Sequence, residues 1–151
     1  MDEKEAEKLA RVVATECIGV RVRILNRVIT NIFDRALQPL DLKLPQVNIL
    51  VMLALYGKAS PGDIGGVLQM EKSTVSRNLE RMRNKGWIEV TGKDVGQSKV
   101  VSVTAKGRKL LKTAHVAWEK AQRETEGLLG DEGVRAVRKL HEIVNRAKAQ
   151  A

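Results

Sequence analysis

The sequence predicts a mainly α-helical fold that carries one small β-hairpin. Apolar residues recur at helical spacing through most of the chain, as Ile64, Val67 and Leu68 do, or Val75, Leu79 and Met82. The period switches to alternation after Gly86, in Trp87–Thr91 and again in Lys99–Val103. The length, 151 residues, suits one domain with a core of its own.

Residues 3 to about 37 read as one long helix, bent near Gly19. Leu9, Val13, Val20, Ile24, Val28, Phe33 and Leu37 supply its apolar positions, and Val12, Leu25, Ile29 and Ile32 widen the stripe. That face is broader than one neighbour covers. Either the chain's own later helices or a second copy would bury it. The C-terminal end shows the same excess, which favours a subunit interface.

Gln38–Leu44 is a connector. A helix from Pro45 to Tyr56 comes next, apolar most of the way round, and is expected to be the central buried one. Gly57 ends it, and Lys58-Ala59 can add a short third strand beside the hairpin.

Ser60 to Gly86 reads as two helices and a tight turn. Ser60 suits an N-cap, and Pro61 suits the first helical position, where its missing N–H costs nothing. Gly65-Gly66 departs from a comfortable helix, since each glycine costs about 1 kcal/mol relative to alanine. Close approach of the next helix explains Gly65; Gly66 has no such explanation. Met70-Glu71 makes the turn, and Gly86 stops the second helix.

On that second helix, Ser73 and Arg77 point away from the Val75/Leu79/Met82 stripe, flanked by Thr74, Ser76, Glu80, Arg81 and Asn84. Hydroxyls near a helix N-terminus with arginines further along suit a helix laid in a DNA major groove. Charge supports this. Residues 58–112 hold 12 Lys/Arg against 5 Asp/Glu, a net +7, out of +9 for the whole chain. The candidate DNA-binding residues are Lys72, Ser73, Thr74, Ser76, Arg77 and Arg81, with Lys93 and Lys99 on the hairpin.

Helix, short helix, basic helix and β-hairpin form a winged helix-turn-helix arrangement. The run LPQVNILVMLALYGKASPGDIGGVLQMEKSTVSRNLERMRNKGWIEV, followed by a hairpin and VSVTAKGRKLL, resembles the MarR family of transcription regulators. Ser73-Thr74-Val75-Ser76-Arg77 and Leu110-Leu111 downstream of Thr104-Ala105-Lys106-Gly107 carry the likeness, which spans roughly residues 20 to 148. The resemblance implies one domain: a DNA-binding lobe at about 45–103, with helices at about 3–37 and 104–149 that interlock between two subunits. Two recognition helices one DNA turn apart then imply a pseudo-palindromic operator. The wing departs from the family pattern. Asp94 matches its acidic residue, but no arginine lies between Arg83 and Arg108. Lysine meets phosphate as a point charge, so the wing is expected to add backbone affinity more than sequence reading.

Thr104 suits the N-cap of a long helix running to about Leu129. Gly130 breaks it, and a last helix carries Val134, Val137, Leu140, Ile143 and Val144 on one face. Trp87 and Trp118 read as core, although Trp118 also fits an effector pocket between the flanking helices and the lobe.

Other chemistries find little support. Aromatics make up 3% of residues, against single-strand binding by stacking. His115 and His141 sit on separate helices away from ligand spacing, so neither a metal nor another cofactor is expected, nor any enzymatic activity. The charged N-terminus and the lack of an apolar run near 18 residues point to a cytoplasmic chain without membrane contact. The lone Cys17 has two readings. It is a packed residue, or it is a redox sensor, as the position of sensing cysteines in some members of the resembling family implies. The expected function is a homodimeric transcription regulator, a repressor released from duplex DNA by a small-molecule effector or an oxidant. The alternative is a winged-helix protein–protein interaction module without DNA binding.

Overall fold

The computed structural model describes residues 2–92 and 99–149. Its elements run α1 (Glu3–Glu16), α2 (Ile18–Leu37), a 3-10 turn (Gln38–Leu40), α3 (Leu44–Tyr56), β1 (Lys58–Ala59), α4 (Pro61–Leu68), α5 (Lys72–Asn84), β2 (Ile88–Thr91), β3 (Val100–Val103) and α6 (Ala105–Ala149).

The expected single helix over residues 3–37 is two helices. The break falls at Cys17, two residues before Gly19, where an extended backbone (φ −66°, ψ 112°) leaves the helical region. The C-terminal part breaks at Gly130 as expected: the φ of 64° and ψ of 173° at that glycine leave the helical region, so α6 consists of two helical segments, residues 105–129 and 131–149, that meet at a kink.

The three strands form an antiparallel sheet in the order β1-β3-β2. Lys58-Ala59 pairs with β3 as the third strand, Ala59 facing Val101, while β2 pairs on the other side with Val90 facing Val101. Val101, Val103 and Ile88 turn inward onto the core.

That core lies beneath α3. Ile49, Leu50 and Leu53 of α3 are fully enclosed, together with Leu37, Leu42, Ile64, Val75 and Met82 from the elements around it. The apolar girdle of α3 is not buried all round: Val51, Leu55 and Tyr56 are exposed. Burial is also uneven between the middle and the ends. α1 buries no residue. Beyond the Gly130 bend only Gly133 and Val134 are half-buried, and every residue from Arg135 to Lys148 is exposed. Leu9, Val13, Leu140 and Ile143 are each more than half exposed, at 52%, 56%, 58% and 52%.

Candidate nucleic-acid interface

The helix-turn-helix is built by local chemistry. Ser60 and Asp63 cap α4 reciprocally: the Ser60 hydroxyl accepts from the Asp63 N–H at 3.0 Å, and the Asp63 carboxylate accepts from the Ser60 N–H at 2.9 Å. The Ser60 hydroxyl also donates to that carboxylate at 2.7 Å. These bonds hold the Asp63 carboxyl below its ordinary value of 3.8, the side-chain bond first and the backbone bond second.

α4 ends at Gln69, which adopts the left-handed region with φ 52°. The turn then passes so close that a Cβ on Gly65 would stand 3.1 Å from the Met70 carbonyl oxygen and 3.6 Å from Val75 Cγ2. Gly65 therefore meets both the turn and the next helix, as expected. Around Gly66 a Cβ would meet nothing within 4 Å.

α5 buries Val75, Leu79 and Met82. Its opposite side presents Ser73, Ser76, Arg77 and Arg81 to solvent, beside an exposed Lys72. Thr74 is half-buried; its hydroxyl accepts a long bond from Arg77 Nη2 at 3.5 Å, and its carbonyl accepts from Asn78 Nδ2 at 2.9 Å. The helix N-terminus has no side-chain cap and no acid in its first turn, while Arg81 and Arg83 occupy the last. An uncapped N-terminus carries partial positive charge and unsatisfied N–H groups, which together attract anions.

Lys72 and Ser76 share an open cleft of about 850 Å³ with Lys99, the residue just before β3. Arg83 and Glu80 also line it. Arg83 is not among the residues expected from the sequence to meet DNA. It stands eleven residues beyond Lys72 and so three helical turns along the same side. Lys93 and Asp94 lie outside the described residues. Cys17 is remote from this cleft. It sits half-buried at the α1–α2 break, where the guanidinium of Arg21 donates to the Thr15 carbonyl.

The C-terminus of α5 is tied to β2 and α6. Gly86, with φ 70°, closes the helix, its N–H donating to the Arg83 carbonyl at 2.8 Å and the Trp87 N–H to the Met82 carbonyl at 3.0 Å. Thr104 caps α6 as expected, accepting from the Gly107 N–H at 3.0 Å, and its hydroxyl reaches back to the Gly86 carbonyl at 2.7 Å. Trp87 is buried beneath this junction.

Trp118 is not core. It is 37% exposed and lines a second cavity of about 730 Å³ between α3 and α6. Val51, Leu111 and Trp118 give that cavity an apolar wall, with Arg108, Lys112 and His115 around it. His115 stacks on Trp118, ring centroids 5.8 Å apart at 12°. Among the described residues no group of three or more His, Cys, Asp or Glu could hold a metal ion, and no helix is long and apolar enough to cross a membrane.

A model of the MarR family matches residues 40–96, which run from the end of the 3-10 turn into the wing. The multiple antibiotic resistance protein MarR of Salmonella typhimurium is 28% identical over 72 residues, 48% of this chain and 50% of that protein. The chain thus spans about half the length of that curated relative. Solved structures extend the likeness. The M. tuberculosis transcriptional regulator MosR, in complex with DNA, is 30% identical with a TM-score of 0.74, covering 89% of this chain and 98% of that one. Bordetella bronchiseptica BpsR, solved in work on regulation of its DNA binding by 6-hydroxynicotinic acid, has a TM-score of 0.77 at 21% identity, covering 87% of this chain and 96% of that one. The matched segment, the near-complete overlay on MosR and the arrangement of α4, α5 and the three-stranded sheet agree: this chain belongs to the MarR family.

Proposed function

We propose that the protein is a homodimeric transcription regulator that binds duplex DNA through α5 and acts as a repressor. One observation carries the reading. The exposed face of α5 carries Ser73, Ser76 and Arg77 near its uncapped N-terminus and Arg81 in its last turn, opposite a buried Val75/Leu79/Met82 stripe. In the groove, Arg77 and Arg81 would read base edges, where a bidentate arginine discriminates guanine by about 1–3 kcal/mol. Lys72, Ser73, Thr74 and Ser76 would bind phosphates around the helix N-terminus. Lys93 and Lys99 would add phosphate contacts from the wing. MosR, bound to DNA in its own structure, supports the assignment.

The unpartnered apolar residues of α1 and of the arm after Gly130 support pairing of two chains. A two-fold pair sets its recognition helices about one DNA turn apart, so the site is pseudo-palindromic. A small molecule in the α3–α6 cavity beside Trp118 would alter that spacing and release the DNA. BpsR, whose DNA binding responds to 6-hydroxynicotinic acid, supports ligand control. The oxidant route rests on Cys17. Peroxide would then release DNA from the wild type and leave Cys17→Ser bound; equal responses make the thiol a packing residue only.

The test is selection of duplexes from a random pool, followed by titration against salt. The expected result is a palindromic consensus and a steep fall of affinity with salt, as phosphate contacts release counterions. Failure to enrich any sequence, with a monomer in sedimentation, overturns the reading in favour of a protein–protein module. A reporter placed behind the selected site then separates repression from activation.

A further inference from the structure

We propose that Asp41 and Lys85 form a strut that sets the tilt of the recognition helix. Lys85 is then a positioning residue, not a phosphate contact. The inference rests on the reading of α5 as the DNA-binding helix.

Lys85 caps the C-terminus of α5. Its ammonium forms an ion pair with the Asp41 carboxylate and donates to the Asp41 carbonyl oxygen at 3.2 Å. The same ammonium stands 4.7 Å from the centroid of the Trp87 ring. One residue, Asp41, therefore offers two acceptors to one cation, and an aromatic face holds that cation from another side. On the far side, Lys106 of α6 donates to the Lys85 carbonyl at 2.7 Å.

The conformation of Asp41 supports a dedicated role. Its φ of 54° and ψ of 34° are left-handed, the conformation in which a helical turn usually ends on glycine. Glycine would make that turn without steric cost but would leave Lys85 without a carboxylate. The turn is also stiff. Leu37 and Leu42, on either side of it, are 0% and 2% exposed. The Asp41 N–H donates to the Gln38 carbonyl at 2.9 Å, and Asp34 of α2 accepts from the Leu44 N–H at 2.7 Å. Asp41 thus moves with the end of α2. An Arg35–Glu124 ion pair joins α2 to α6. The end of the recognition helix is held between two flanking helices that are themselves joined, and any rearrangement of those helices reaches α5 without crossing a flexible loop.

Electrostatic stabilisation is a poor account of the pair. Asp41 is 84% exposed at its side chain, and exposed ion pairs add little to folding. The geometric role has a distinctive consequence. Removing the anion from this position should strengthen DNA binding if only charge matters, because a negative group near phosphates is lost. It should weaken binding if the strut positions α5.

The experiment uses the full chain and the duplex that the wild type selects from a random pool. Asp41→Asn, Asp41→Gly and Lys85→Met are compared, with an unrelated duplex as the non-specific control. The strut predicts that all three lose roughly tenfold on the selected duplex. The two Asp41 variants should bind the unrelated duplex at least as tightly as the wild type. Asp41→Gly should keep the wild-type urea midpoint, because glycine suits the turn. The double variant Asp41→Asn/Lys85→Met should be no worse than either single change, since both remove one interaction. If Asp41→Asn binds the selected duplex as tightly as the wild type while Lys85→Met binds weakly, Lys85 is a phosphate contact and the strut is wrong. If the wild type selects no duplex at all, the DNA reading itself fails and takes this inference with it.

Discussion

A Cβ built on Gly107 would lie 2.1 Å from the carbonyl oxygen of Trp87 and 2.9 Å from Val103 Cγ2. The first turn of α6 therefore rides directly on the backbone that opens β2. The obstacle at Trp87 is a carbonyl already engaged by Thr104, whose N–H donates to it at 3.1 Å. No flexible side chain can swing aside. Gly107→Ala should destabilise the protein by about 3 kcal/mol through overpacking. Urea unfolding at fixed protein concentration checks this, and a midpoint equal to the wild type would contradict the contact.

Gly66 predicts the reverse. It occupies the interior of α4, its backbone is helical, and its missing Cβ leaves open space. Gly66→Ala should stabilise the fold by about 0.5–1 kcal/mol, through helix propensity and a less disordered unfolded chain. The same urea experiment reads the gain. A stabilised variant with weakened DNA binding would show that the bare surface serves the nucleic acid.

The Ser60–Asp63 box makes stability depend on acid in a defined direction. The hydroxyl and the N–H of Ser60 lower the Asp63 carboxyl below its ordinary value of 3.8. The unfolded chain binds the proton more readily, so the box stabilises α4 fully above that value. Its contribution is lost as pH falls through the lower, folded-state value. Asp63 is fully exposed, so solvent screens the effect. Ser60→Ala should cost about 1 kcal/mol at neutral pH by loss of the cap. The gap between wild type and variant should narrow below the ordinary carboxylate range. A gap independent of pH would remove Asp63 from the account.

On the DNA side, Arg77 and Lys72 should separate. Arg77→Ala is expected to lose about 1–3 kcal/mol on the selected site and to relax its sequence preference. Lys72→Ala should weaken all duplexes alike and lower the salt slope by about one. Gel shifts at several salt concentrations measure both. An Arg77→Ala protein that binds its site as the wild type does would place that side chain outside the groove.

Legibility in the sequence tracks the range of the interaction. The stripe of α5, the Ser60 and Thr104 caps and the third strand at Lys58-Ala59 are local patterns, and each stands where the pattern puts it, whereas of the α4 stripe only Ile64 is buried and Val67 is exposed. The break at Cys17 falls two residues before Gly19, so the glycine marks the neighbourhood of the bend but neither its exact residue nor that the helix parts in two there. Trp118 reads as buried because it shares a face with Ala114 and Ala121, both fully enclosed. Whether α3 reaches far enough to cover the indole is a tertiary matter. The Asp41–Lys85 pair joins residues 44 positions apart and has no local signature at all. Arg83 differs from these, since its helical spacing from Lys72 is a local signal that the sequence displays.

At Gly130 the bend carries the last helical arm away from the body of its own chain, where it gains almost no tertiary support. A lone amphipathic helix holds its hydrogen bonds weakly in water. Protection of its backbone amides against deuterium must then come from another molecule. If two chains pair as proposed, the arm is a built-in gauge of that pairing, readable by exchange kinetics at graded dilution with no nucleic acid present.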